Sequence, residues 1–185
     1  MSRQYFEDMP IEPLCGSNTI CSSTGAAITA TTETALFPVA QTIIPAADVR
    51  PGKVWKLSAG GIYTTGATGT LTITPRWGTT VSGVTMGASV AQTAPVYNIT
   101  AGAWYMEFMC LCMSTSWQTL IHASVIGTGF FKGQGLGGTA ASCNNIVFGG
   151  TAATVDPAAG GICIGWTLSV AGSISPQWQI LQSLN

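Results

Sequence analysis

The sequence predicts an all-β fold, an antiparallel β-sandwich of about 8–10 strands that follows an extended N-terminal arm. From about residue 27 onward, short runs rich in β-branched and aromatic residues are separated by turns of Gly, Pro, Asn and Asp. None of these runs has the apolar period of 3.6 residues that marks a helix. The length of 185 residues suits one domain with a buried core. We therefore assign residues 1–26 to the arm and residues 27–185 to the β-sandwich domain.

Charged residues are scarce in this chain. They make up 7% of the sequence, against roughly 25% in an ordinary soluble domain. The surface must then be covered largely by Thr, Ser, Gly, Ala and Gln, which leave few charges to keep neighbouring copies apart. This composition predicts a subunit that packs against partners. With a net charge of −1 and no basic cluster, we expect no nucleic-acid partner.

The arm differs in composition from the rest of the chain. It holds three of the seven acidic residues, two prolines and two cysteines, and it has no strand or helix period. It also lacks the apolar core of a signal peptide, so we expect synthesis in the cytoplasm. We interpret the arm as a segment that lies against another surface. Its candidate assembly contacts are Arg3, Tyr5, Phe6, Ile11 and Leu14.

The strands follow from apolar alternation along the chain. The clearest are 162–170 and 70–77, in which apolar and polar or small residues alternate, and Pro75 places the second at a sheet edge or strand end. The pair Gly60-Gly61 predicts a bulge or bend. Trp77, Trp166 and Trp178 fall on apolar faces and are expected in the core. Further strands are expected at 36–44, 53–64, 89–98, 129–132, 146–148 and 176–184.

Two runs, 103–113 and 117–126, are apolar on both faces. Such runs are typical of central strands, or of strands that a neighbouring subunit buries a second time. The second alternative predicts oligomerisation. Neither run is long enough to cross a membrane as a helix, and the first contains Glu107, so we expect no membrane partner.

Titratable groups are too few to indicate an enzyme. Beyond the arm the chain has one histidine and four acids, and acid–base catalysis needs such groups in clusters. We expect His122 to be an interior or interface residue. Glu107 lies in an apolar strand and should need a cation, supplied by Arg76, Lys56 or another subunit.

No cofactor or metal is expected. The string GQGLGG at 133–138, with Asp156 further on, matches a dinucleotide-binding pattern, but no amphipathic helix follows it, so we interpret it as a flexible glycine loop. The six cysteines include no CxxC pair, which argues against zinc. We expect free, buried thiols, including Cys110 and Cys112. For Cys15 and Cys21 the sequence leaves two alternatives, a disulfide between them or two free thiols.

From Thr31 onward the chain resembles jelly-roll structural proteins of tailed bacteriophages. The resemblance is carried by the threonine-rich opening TTETALFPVAQTIIPAADVRPGKVWKLSAGG, by TLTITPRWGTT with its Arg-aromatic-Gly turn, and by the closing strands GICIGWTLSVAGSISPQWQILQSLN. It implies a jelly-roll-like sandwich. The arm has no counterpart in it.

The resemblance also implies a role without a catalytic site. Related proteins are capsid decoration or cement proteins, often trimeric, or components of tails and fibres. We therefore expect a virion protein that forms a homotrimer, binds the major capsid protein or other virion subunits and stabilises the assembled shell. The alternative is a tail, fibre or spike subunit that recognises a host surface through loops at 127–138 and 144–161.

Overall fold

The computed structural model describes residues 32–37, 42–86, 92–96, 98–115, 122–137, 139 and 143–184. The arm and its candidate contacts Arg3, Tyr5, Phe6, Ile11 and Leu14 lie outside these ranges. The strands of the described part are β1 (Thr34–Ala35), β2 (Val54–Thr65), β3 (Gly69–Trp77), β4 (Val84–Thr85), β5 (Gln92–Val96), β6 (Ile99–Thr115), β7 (Ala123–Gly133), β8 (Asn145–Val155), β9 (Ile162–Leu168) and β10 (Gly172–Ser183). Two 3-10 helices, Ala46–Asp48 and Pro157–Ala159, complete the described elements.

The strands form two antiparallel sheets packed as a sandwich. The long sheet has the order β10-β2-β6-β7-β8, and the short sheet has the order β1-β9-β3, with β4 and β5 both paired to β3. Consecutive strands β2 and β3 lie in different sheets, as do β9 and β10, while β2 pairs with β10 and β3 pairs with β9. This double crossing is the jelly-roll-like part of the fold, and β6-β7-β8 is a meander. The predicted β-sandwich is confirmed.

Aromatic side chains fill the space between the sheets. Trp55 and Trp77 join the two sheets with ring centroids 5.8 Å apart. Trp166 of the short sheet lies 6.2 Å from Tyr63 and 5.6 Å from Phe131 of the long sheet. All five side chains are almost fully buried. Burial of such large apolar surfaces is the main force that holds two sheets together.

The strand predictions succeeded where alternation is clean and failed where glycine interrupts it. Strands β2, β3 and β9 lie where expected. Strand β8 continues to Val155, although only 146–148 was expected. The prediction stopped there because Gly149 and Gly150, both with positive φ, interrupt the alternation of apolar and polar residues. The strand expected at 36–44 stays a prediction, because residues 38–41 lie outside the described residues. In that range the described residues make a single bridge, Ile43 to Gly161.

Pro75 lies inside β3, with β9 on one side and with β4 and β5 on the other. The expected edge position is therefore wrong for the strand as a whole. The paired residues of β5 end opposite Ile73 and those of β4 begin opposite Arg76, so Pro75 faces the gap between the two. Its carbonyl accepts from the Met86 amide at 2.8 Å. The missing N–H of proline removes no ladder bond here.

A bulge lies at the Gly60-Gly61 pair, as predicted, but the extra residue belongs to β10. Gly61 pairs with Pro176 and Gly60 pairs with Trp178, which leaves Gln177 unpaired. A side chain on Gly61 would collide with the Ser175 carbonyl. The glycine therefore permits the close approach of the bulged strand.

Candidate assembly surface

The outer face of the long sheet is a feature that the core does not explain. Side chains alternate between the two faces of a strand, and one set from each long-sheet strand belongs to the core. The other set forms rows across the sheet that the pairing register defines. The rows are Trp178-Gly60-Tyr105-Lys132-Asn145, then Ile180-Ser58-Glu107-Phe130-Val147, then Gln182-Lys56-Met109-Thr128, and finally Val54-Leu111-Ile126-Ala152.

This outer face is apolar and poor in charge. Its rows hold three charged side chains, Lys56, Glu107 and Lys132, among many aromatic and aliphatic ones. Met109 is 43% exposed and Val147 is 65% exposed. The aromatic residues of the face are partly buried. Aromatic residues and methionine, with few charges, are characteristic of the centre of protein–protein interfaces. The surface is therefore suited to a partner rather than to solvent.

Three rings form an aromatic ridge at one end of the face. The Trp178 indole lies flat on Gly60, where a Cβ would come within 2.7 Å of its Nε1. The Tyr105 ring is 5.8 Å from the Trp178 ring and also 5.8 Å from the Phe130 ring. Trp178 was expected in the core, which is wrong. The unpaired Gln177 shifts the alternation by one residue, so Trp178 points outward and Gln179 points inward.

The opposite end of the face carries an apolar groove. Its open depression of about 460 Å³ is lined by residues that include Val54, Met109, Leu111, Ile126 and Gly150. Gly150 contributes no side chain, and the register between β7 and β8 shifts between Ile126 and Thr128 at this point. The groove lies on the same face as the aromatic ridge.

A hydrogen-bonded ion pair separates the ridge from the groove. The Lys56 Nζ lies 2.8 Å from the Glu107 Oε1, and the Tyr105 hydroxyl donates to the same oxygen. These two bonds, Lys56 first, hold the pKa of Glu107 below its usual value. Burial, and then the bond to Glu107, raise the pKa of Tyr105 to about 12. The expected need of Glu107 for a cation is confirmed, and the cation is Lys56.

The ion pair is a positioning element more than a source of stability. Both side chains are 27% exposed, and pairs that water reaches contribute about 0–1 kcal/mol. The chain of bonds from Lys56 through Glu107 to Tyr105 fixes the tilt of the aromatic ring instead.

The outer face of the short sheet differs because a segment of the chain covers part of it. The Arg76 guanidinium donates from Nε and Nη2 to the two Glu33 carboxylate oxygens at 2.8 and 2.7 Å. A Cβ at Gly165 would collide with this carboxylate. Glu33 therefore fastens the first described residues onto β3 and β9, and Cys163 is buried close to this position. The long sheet has no such cover among the described residues.

The other residues considered as candidates from the sequence do not lie together in the structure. His122 is exposed just before β7, so the interior alternative is wrong, and the interface alternative stays a prediction. The GQGLGG segment ends β7 and forms a turn in which Gly135 and Gly137 have positive φ. Asp156 caps the 3-10 helix that follows it, through the Ala158 amide at 2.8 Å. Among the described residues, no group of three or more His, Cys, Asp or Glu could hold a metal.

Three of the four described cysteines are buried and free, as expected, but Cys143 is exposed. Cys143 follows the glycine turn, outside any strand, which explains its exposure. Burial raises the pKa of Cys110 to about 12 and that of Cys163 to about 11. The sequence does not place three further tryptophans, Trp55, Trp104 and Trp117. Trp55 and Trp104 are both buried, and Trp117 lies outside the described residues.

We expect one fast-reacting thiol in the native chain once Cys15 and Cys21 are replaced by serine. Dithionitrobenzoate should modify Cys143 at once, while Cys110, Cys112 and Cys163 react on the order of 100-fold more slowly, because they require local opening. In denaturant all four described thiols should be exposed and should react at the same rate. Survival of the fast phase after a further Cys143→Ser substitution would contradict the assignment.

Fold and surface together define an antiparallel β-sandwich with a charge-poor face on one sheet that the other described residues do not cover. In the ranges that the structure describes, no helix has the length and apolarity needed to cross a membrane. No protein-family model, curated protein sequence or solved structure matches the chain.

Proposed function

We propose that this chain is a bacteriophage virion structural protein, a capsid decoration protein that binds the assembled shell and stabilises it. The observation that carries the proposal is the apolar outer face of the long sheet, in a chain with only 7% charged residues. A surface of this kind is costly to leave in water and is suited to a subunit of a larger assembly. The resemblance from Thr31 onward favours a virion as that assembly.

The mechanism is binding alone. A protein that binds the assembled shell but not its separated subunits raises the stability of the shell by linkage, about 2.7 kcal/mol per site at a concentration of 100 Kd. Residues 1–26 form the clamp, through Arg3, Tyr5, Phe6, Ile11 and Leu14. The described chain begins on the short sheet, where Arg76 holds Glu33. We assign different partners to the arm and to the long-sheet face.

The test uses purified shells that were assembled without this protein. We expect the full chain to co-sediment with the shells and to raise their disruption temperature. A variant without residues 1–26, or with Tyr5→Ala and Phe6→Ala, should bind at least about tenfold more weakly, because the aromatic contacts of the clamp are lost. A variant with Ser17→Ala and Asn18→Ala is the matched control in the same segment. Absence of binding by the full chain would contradict the decoration role, and full binding without the arm would contradict the clamp.

The alternative role, a tail, fibre or spike subunit that recognises a host surface, relies on loops at 127–138 and 144–161. Most of both ranges lies in strands β7 and β8, so the expectation of loops there is wrong. Alternation is masked in these strands by their glycines. The turns that follow them, at 134–137 and 156–161, are the parts of these ranges outside strands that the structure describes.

A further inference from the structure

We propose that the outer face of the long sheet packs against the same face of a second copy of this chain, about a two-fold axis. The axis lies between the two faces, runs across the strands and passes between the row of Glu107 and the row of Lys56. This pairing is carried by the surface itself and not by the virion role, and it replaces the homotrimer that the resemblance implies with a dimer. It names the partner of the face, while the arm remains available to other subunits.

The size of the face suits this partner. Five strands about 4.8 Å apart, and the nine residues from Val54 to Ile62 with about 3.3 Å between successive residues, give a face on the order of 600–700 Å². In a standard interface each partner buries about 800 Å². One copy of the face therefore covers the other almost completely, and two sheets can stack about 10 Å apart with aligned strands.

The shape of the face is self-complementary about this axis. The aromatic ridge of Trp178, Tyr105 and Phe130 lies on one side of the axis, and the groove beside Met109 and Leu111 lies on the other. A two-fold rotation exchanges the two ends of the strands. The rotation lays each strand over its own counterpart, so Tyr105 on β6 and Phe130 on β7 of each copy are placed over the groove of the other, twice per pair, as an isologous contact requires. Trp178, on β10, lies beside the groove.

The charges of the face are self-complementary as well. The same rotation places each Lys56 across the interface from Glu107 of the second copy with a lateral offset of about one strand spacing, since the two residues lie on adjacent strands β2 and β6. Both side chains point into the space between the two facing long sheets. The intrachain pairs then become a cluster of two lysines and two carboxylates in which each charge has two opposite neighbours. The remaining charge of the rows, Lys132 on β7, is placed opposite Ile126 of the second copy, and it has no opposite charge in the rows. It lies one strand away from the sheet edge that β8 forms, so its long side chain can carry the ammonium to water at that edge.

The experiment is sedimentation equilibrium of the full chain without shells. The chain has a mass of 19.0 kDa, and we expect twice that mass at about 100 µM. Met109→Lys places a charge in the groove and should raise the dissociation constant at least about 100-fold, because the ammonium would be desolvated without a partner. Val84→Lys is the matched control. Val84 is similarly exposed, at 47%, but lies on the short sheet, so dimerisation should not change.

Charge exchange tests the position of the axis. Lys56→Glu or Glu107→Lys alone should weaken the dimer at least about tenfold, because each places like charges together across the axis. The double variant should regain association, because both copies change at once. When mixed, the double variant and the wild type should form fewer mixed pairs than chance predicts.

Several results would overturn the proposal. A wild-type mass of one chain or of three chains would do so, as would equal effects of Met109→Lys and Val84→Lys. The wild type could also be a monomer while a variant without residues 1–26 forms a dimer. That result would show that the arm, and not a second copy, covers the face in the full chain. Because shells are absent, failure here leaves shell binding standing, and failure of shell binding leaves the dimer standing.

Discussion

Replacing Trp166 by alanine should lower the free energy of unfolding by about 3–5 kcal/mol, the range for large-to-small changes at fully buried aromatic sites. The Trp166 side chain is fully buried and contacts rings of the opposite sheet, with Tyr63 at 6.2 Å and Phe131 at 5.6 Å. Its removal leaves a cavity between the two sheets at the point where they are held together. The effect is measured by equilibrium unfolding in urea.

Trp166→Phe is the matched control. It keeps an aromatic ring between the sheets and removes the indole Nε1, which is buried and has no hydrogen-bond partner among the described residues. A buried donor without a partner is unfavourable, so its removal offsets part of the packing that the smaller ring loses. We therefore expect the free energy of unfolding to fall by less than about 1.5 kcal/mol. If the alanine and phenylalanine variants lost equal stability, the account of the inter-sheet core would be wrong.

Replacing Gly149 by alanine should cost about 3 kcal/mol or more. Gly149 has φ +95, a conformation that other residues rarely adopt, and an added Cβ would run into the Gly127 carbonyl of the neighbouring strand. Because those atoms are backbone, strands β7 and β8 would have to separate. Equilibrium unfolding in urea measures the loss of stability.

Gly150→Ala separates the two causes of this loss. Gly150 has a similar φ of +104, but a Cβ there meets nothing within 4 Å. We expect it to cost only the backbone strain, about 1–2 kcal/mol. The difference between the two variants measures the collision with β7. Equal costs would show that the collision is relieved without loss and would contradict the close approach of the strands.

Much of the fold follows from local pattern. Strands β3 and β9 alternate so regularly that their existence and core faces can be predicted from the sequence. The two-faced apolar character of 103–113 also predicts that β6 has an apolar outer face. Glu107 in that strand predicts a nearby cation, and Lys56 is among the residues that the sequence proposes.

The other features of the fold and of the candidate surface depend on pairing between strands that are distant in sequence. Trp178 faces outward because Gln177 is unpaired opposite Gly60 and Gly61, and that bulge exists only in the pairing of β10 with β2. The ridge and the groove likewise arise from rows that cross all five strands. No single strand contains this information, so the arrangement of the candidate surface could not be predicted.

The most direct test of the account is cryo-electron microscopy of the particle that carries this protein. We expect the density of this protein to lie over the junctions between major capsid proteins, with residues 1–26 extended across neighbouring subunits. Density confined to the tail or to a vertex spike would contradict the decoration role and favour host recognition.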